Sequence, residues 1–381
     1  MVQDDALVYA TAGGREAPLP RLSSIESMGG WSGAASRAAD GPDASGPSIM
    51  PTPPTCPNVA PLTETIMTGG NGYTIAAGTS LYSNAINCIL SGYNDLITNN
   101  GTVWLHSPTV HGWFATGGLS SIINSGDIYI RGERQVQLAA QTVSLTNTGS
   151  IYIVADMGRS RGVTIEGYAA SVDNSGLIAV QTLGVSGDGF TNHAIAIEVM
   201  GTPGIINRAG GRILAEAPDL AIAISYGGSG NENTPVLDNA GLIAANATAA
   251  GGISIGVDIA QYGTHPTIVV NSGTIRGDYA IYAQAASETV VNPIEVIDNR
   301  ATGVLDGDVS LGIGDDRIQN DGRIIGNVDM GAGNDRFLGS GTISGIVDMG
   351  FGADIYSGTA GNDRARGGRD SDVLSGHDGQ D

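Results

Sequence analysis

Lysine is missing from this 381-residue chain: all 17 basic residues are arginine, set against 38 acids, for a net charge of −21. A phosphate-binding surface needs a basic stripe, so this balance argues against nucleic acid and suits cations or a dilute extracellular setting. Aromatics are scarce at 5%, while glycine reaches 59 residues. That is too little bulk for an ordinary α/β core of this length. Cysteine occurs only at Cys56 and Cys88. No four-ligand zinc spacing exists, and one disulfide or two unlinked thiols both stay open. No apolar run reaches transmembrane length. The start, MVQDDALVYATAGG, opens on acids with no basic n-region, so no Sec signal peptide is expected. Neither H-E-x-x-H nor G-x-S-x-G occurs, and His106, His111, His193, His265 and His377 are scattered.

What is present divides the chain into three. Residues 1–62 read as a disordered tail or linker: seven of the 15 prolines fall between Pro42 and Pro61, among glycine, serine and alanine. Residues 63–302 carry short apolar bursts with period two, such as DIYI, SIYIV and GLIAV, separated by glycine and asparagine turns. No amphipathic helix stands out. An Asn-x-Gly-x-(Ile/Val) pattern recurs, with its glycine at Gly101, Gly126, Gly149, Gly176, Gly211, Gly241, Gly273, Gly303, Gly322 and Gly341. The successive spacings run from 19 to 35 residues, the range of a stacked solenoid.

These repeats predict a parallel β-helix of three-strand coils. The asparagines are expected to form an internal ladder, and the glycines to supply a positive φ at the corner. Ile128, Ile151, Ile178, Ile213, Ile243 and Ile275 are expected to stack inside, with Tyr129 and Tyr152 stacking outside. Hairpin turns in a sandwich are the alternative. The pattern resembles the β-helical regions of autotransporter passengers and filamentous haemagglutinin-like adhesins, over about Gly69 to Gly303.

Residues 303–381 change grammar again. Copies of x-G-x-G-x-D-x-φ-x, with φ apolar, read LGIGDDRIQ, MGAGNDRFL, MGFGADIYS, GTAGNDRAR, GGRDSDVLS and the incomplete GHDGQD. Their sixth-position aspartates are Asp316, Asp335, Asp354, Asp363, Asp372 and Asp381, at steps of 19, 19, 9, 9 and 9. All fourteen acids from residue 301 onward are aspartate. Glycine lets a turn curl its carbonyls toward an ion, and calcium takes six to eight oxygens. A short aspartate reaches from such a turn where a glutamate would overshoot. Solvated Asx turns are the competing reading.

The segment from Leu311 to Asp381 resembles the RTX calcium-binding repeats, a nonapeptide β-helix pattern. The resemblance implies an all-β parallel β-helix (β-solenoid) running into an RTX-type calcium β-roll. It also implies Ca2+ held by those six aspartates with Gly312, Gly314, Gly331, Gly333, Gly350, Gly352, Gly361 and Gly367. Two nonapeptides make one coil of such a roll. Asp316, Asp335, Asp354 and Asp372 then belong to one side, Asp363 and Asp381 to the other. The expected function is a secreted or cell-surface calcium-binding solenoid with a structural or adhesive role, facing surface polysaccharide or other surface components. A polysaccharide-modifying β-helix enzyme and an autotransporter passenger fragment are the alternatives. No acid–base pair assembles from Asp156, Glu166, Asp173, Asp188, Glu198 and Asp258, so no catalytic site is expected. The stop within a repeat suggests a truncated chain.

Overall fold

The computed structural model describes residues 48–52, 66–67 and 72–377, the last interrupted at 84–86, 92–94, 108–111, 118–119, 134–135, 168–169, 186–190, 202–203, 229–233, 262–265, 284–293 and 360. The described residues form 34 β-strands and no helix, and every strand pairing is parallel. The chain is a parallel β-helix. One coil comprises Ser171–Asn174, Leu177–Thr182 and His193–Gly201; the next comprises Gly204–Asn207, Arg212–Ala217 and Leu220–Gly228. Each strand pairs with its equivalent one coil on.

Parallel stacking with a side-chain period of two sends the same sequence position to the same place in every coil. Ile128, Ile151, Ile178, Ile213, Ile243 and Ile275 form one continuous internal column. Leu305, Ile324 and Ile343 extend it. A second column runs Val172, Ile205, Leu237, Val269, Ile297, Ile318, Phe337, Tyr356 and Leu374. The core thus passes residue 303 without a break.

The asparagines form the expected ladder. From Asn99 through Asn124, Asn147, Asn174, Asn207, Asn239, Asn271 and Asn299 to Asn320, each Nδ2 donates to the next Oδ1 at 2.7–2.9 Å. All are buried. An amide suits this because it carries both a donor and an acceptor, so identical copies satisfy one another.

One sequence expectation needs correction, and another an addition. The ladder glycines do not take a positive φ; none of the ten appears among the left-handed residues. Their role is steric. A Cβ at Gly126, Gly149 or Gly176 would strike the carbonyl oxygen of Gly101, Gly126 or Gly149, one coil earlier. Tyr129 and Tyr152 do point outward, stacked beneath Trp104, with Trp104–Tyr129 centroids 3.9 Å apart and Tyr129–Tyr152 5.8 Å apart. Yet both are buried, in an outer cluster against which Trp104, Ile49 and Met50 pack. Glu216 anchors that segment: its carboxylate accepts from Ser48 Oγ at 2.8 Å and Ile49 N at 3.0 Å, and from the flanking amides of Gln181 and Asn246. The rest of the tail, and Cys56 and His111, lie outside the described residues, as does the side chain of Cys88.

Asn207→Ala leaves one amide N–H of Asn174 without its ladder acceptor, a loss of about 1–3 kcal/mol when buried unpaired, and leaves Asn239 Oδ1 with only the Gly241 N–H. Gly176→Ala forces two coils apart. Both variants should melt at clearly lower temperature by circular dichroism; an unchanged melt for Gly176→Ala would refute the steric account of the ladder glycines.

Candidate metal centre

The aspartate coils continue the helix with shorter strands. Arg317–Asn320, Arg336–Gly339, Ile355–Ser357 and Val373–Ser375 stack in register. One residue before each lies the motif aspartate. Asp316 stands two places before Ile318 and four before Asn320, so all three share the inward face. Asp316, Asp335 and Asp354 are each only 1% exposed.

One carboxylate oxygen of each aspartate has a partner in the neighbouring coil. Asp335 Oδ1 accepts the backbone N–H of Asp316 at 2.8 Å, Asp354 Oδ1 that of Asp335 at 2.8 Å, and Asp372 Oδ1 that of Asp354 at 3.1 Å. The other oxygen, Oδ2 of Asp316, Asp335 and Asp354, is buried and receives no hydrogen bond from a donor among the described residues. A buried carboxylate oxygen without a donor is costly, and stacking like charges adds repulsion. Burial accordingly pushes Asp335 up to about 8 and Asp316 up to about 7, and raises Asp354 as well.

The turns before these aspartates bring their backbones into close stacking. Gly331 and Gly350 adopt φ of 94° and 90°, and Gly333 and Gly352 lie at 149° and 131°. A Cβ at Gly331 or Gly350 would collide with the carbonyl oxygen of Gly312 or Gly331. Ala332 N donates to Gly312 O at 2.9 Å and Gly314 N to Ala332 O at 2.8 Å, knitting successive turns together. In the next coil Gly368 takes the place of Gly350, at φ 95°. Gly367, the sequence candidate, therefore precedes the stacked position. Asp370 fills the Gly352 position and adopts φ 82°, a conformation that aspartate tolerates better than most side chains. Arg369 lies over Phe351, 4.9 Å from the ring centroid.

The structure brings Asp316, Asp335, Asp354 and Asp372 into one column. It places Asp363 elsewhere: Ala365, two residues on, pairs with Val347 on a different strand, and the Asp363 carboxylate accepts from Thr359 N at 2.7 Å. Gly361 lies beside that turn and not in the glycine column. Asp381 falls outside the described residues. Among the described residues no three His, Cys, Asp or Glu side chains converge as a metal cluster. A metal in this column would thus use few carboxylates and complete its shell from backbone carbonyls and water, an oxygen set that calcium accepts.

Sequence reasoning missed Glu295. It opens Glu295–Asn299, four residues before the ladder residue Asn299, the offset that separates Asp316 from Asn320. Its signal was that offset to the asparagine ladder, which the glycine motif does not contain. The upstream acids are otherwise engaged. Asp156 pairs with Arg131, Asp173 with Arg208 and Glu198 with Arg161, while Asp258 accepts from Ser225 Oγ at 3.0 Å. Asp188 and the side chain of Glu166 are outside the described residues.

Without metal, the folded column keeps protons that the unfolded chain sheds near its ordinary carboxyl pKa of about 4. A raised carboxyl favours the folded state below that value, and the benefit drains away as pH rises through the folded pKa. In chelator, the melting temperature of the full chain should fall as pH is raised from about 4 to about 8, the window between the unfolded value and that of Asp335. A melting temperature that climbs through this window would contradict the buried column. Compared with known protein families, curated proteins and solved structures, the chain matches none.

Proposed function

We propose that this protein is a calcium-binding β-solenoid whose C-terminal coils are ordered by the ion, with a structural or adhesive role outside the cell. The observation that carries this reading is the row of buried Oδ2 atoms of Asp316, Asp335 and Asp354, each without a donor among the described residues. Such a row suits a hard cation that shares oxygens between successive coils. The side chains that would hold it are Asp316, Asp335, Asp354 and Asp372, with Gly312, Gly331, Gly350 and Gly368 permitting close approach of the turns. Calcium would supply charge neutralisation there and cross-link the coils.

The chain's own residues explain why the ion matters. They provide no lysine, and Arg317 and Arg336 stand on the exposed face of the same strands. The upper coils need no such help, because their interior columns are isoleucine and self-complementary asparagine. Calcium binding is therefore coupled to folding of the acidic end alone. The external setting follows from free calcium being plentiful there and from the acidic, lysine-free surface. Surface polysaccharide remains the partner suggested by adhesin-like β-helices.

Adding millimolar calcium to the chelated full-length protein at pH 7.5 should raise its melting temperature; an ion at ~100-fold its Kd stabilises by about 2.7 kcal/mol per site. Asp335→Asn should show opposite signs in the two conditions. It removes a carboxyl that must hold a proton in the metal-free column, so in chelator it is neutral or stabilising, while in calcium most of the gain is lost. A wild-type melt indifferent to calcium would end this reading.

A further inference from the structure

The carboxylate column does not begin where the glycine–aspartate repeats begin. Glu295 occupies the same column position one coil earlier, between Thr267 and Asp316. Its backbone N–H donates to Asp316 Oδ1 at 2.7 Å, the same rung that joins Asp316 to Asp335 and Asp335 to Asp354. Glu295 is 0% exposed. Among the described residues neither of its carboxylate oxygens, nor Asp316 Oδ2, receives a donor from outside this pair. The two carboxyl groups thus face one another and, without metal, hydrogen-bond to each other through a shared proton. The next residue in the column, Thr267, is neutral, so the acidic run ends at Glu295.

We propose that Glu295 and Asp316 form the first calcium site of the column, one coil upstream of the repeat motif. This rests on the reading of the aspartate column as calcium-binding. Glutamate's extra methylene, which would overshoot inside a tight glycine turn, gives the longer reach needed across this wider 21-residue coil. The site favours calcium over magnesium, which keeps its water and demands a near-octahedral shell. Its position adds a consequence. Glu295 is built on a coil already held by the asparagine ladder through Asn271, Asn299 and Asn320. The two ligands are therefore held in place before any ion arrives, whereas the later aspartates sit on coils with no ladder asparagine beyond Asn320. A preorganised site binds more tightly. The Glu295–Asp316 site fills first and anchors the calcium-dependent coils to the calcium-independent helix.

The test is equilibrium dialysis of the full chain against radioactive calcium, with folding checked by circular dichroism. Wild type is compared with Glu295→Gln, Glu295→Asp and Asp354→Asn. Glutamine keeps the volume and can donate to Asp316, so the fold is retained. The expected result is that Glu295→Gln binds one ion fewer per chain and that its tightest phase weakens by at least roughly tenfold, the loss that even an outer-sphere partner brings. Asp354→Asn, two coils away, should keep the tight phase while losing weaker ions. Glu295→Asp retains the charge but withdraws it, and a folded variant with a weakened tight phase also supports the site. Wild-type uptake by both Glu295 variants overturns this inference and leaves the calcium reading standing, with Glu295 a protonated partner of Asp316. No uptake by wild type overturns both.

Discussion

Self-contact governs this molecule. A parallel helix with strands about 4.8 Å apart places each side chain against its own equivalents above and below. Every column must therefore consist of residues that tolerate their own kind. Isoleucine does so by nesting, and asparagine by offering a donor to one neighbour and an acceptor to the other. Glycine does so by leaving room for the carbonyl oxygen of the coil before. Aspartate does not, because an ionised carboxylate has acceptors only.

The fold handles acids in two ways, according to which face they occupy. Outward acids find a donor in an adjacent coil: Asp156, Asp173 and Asp306 pair with Arg131, Arg208 and Arg276, and Asp315 and Asp321 accept from Asn334 and Ser340. Glu216 is an outward acid that is buried, and four neutral donors enclose it, two of them from Ser48 and Ile49. Inward acids have no such recourse. The inward aspartates each accept one backbone N–H from the coil before, Glu295 accepts none, and among the described residues Oδ2 of Asp316, Asp335 and Asp354 is left over. The chemical contrast between the halves of the helix lies there: an amide ladder that closes on itself, and a carboxylate ladder that requires something from solution.

The two ladders overlap for two coils, at Glu295 with Asn299 and Asp316 with Asn320. Beyond Asn320 the ladder position is Gly339, whose backbone packs too closely on Asn320 for a side chain to fit. The coils tighten to 19 residues at the point where the acidic column takes over from the amides. The hand-over is thus geometric as well as electrostatic, since a shorter coil leaves less apolar interior and depends more on what its turns hold.

Residue order alone determined the all-β parallel helix, the asparagine ladder, the isoleucine columns and the separation of Asp316, Asp335, Asp354 and Asp372 from Asp363. All of these follow from spacing, because a stacked coil converts a sequence period directly into a vertical neighbour. Only the tertiary structure decided why the ladder glycines are glycine, since the obstacle is a carbonyl one coil away and not a local torsion. Likewise it alone showed Ile49 and Met50 packed against the outer cluster that includes Tyr129 and Tyr152, Gly368 in place of Gly367, and Glu295 heading the carboxylate column. Each of those depends on which atoms end up against each other across coils of unequal length, and a motif read along one strand does not contain that distance.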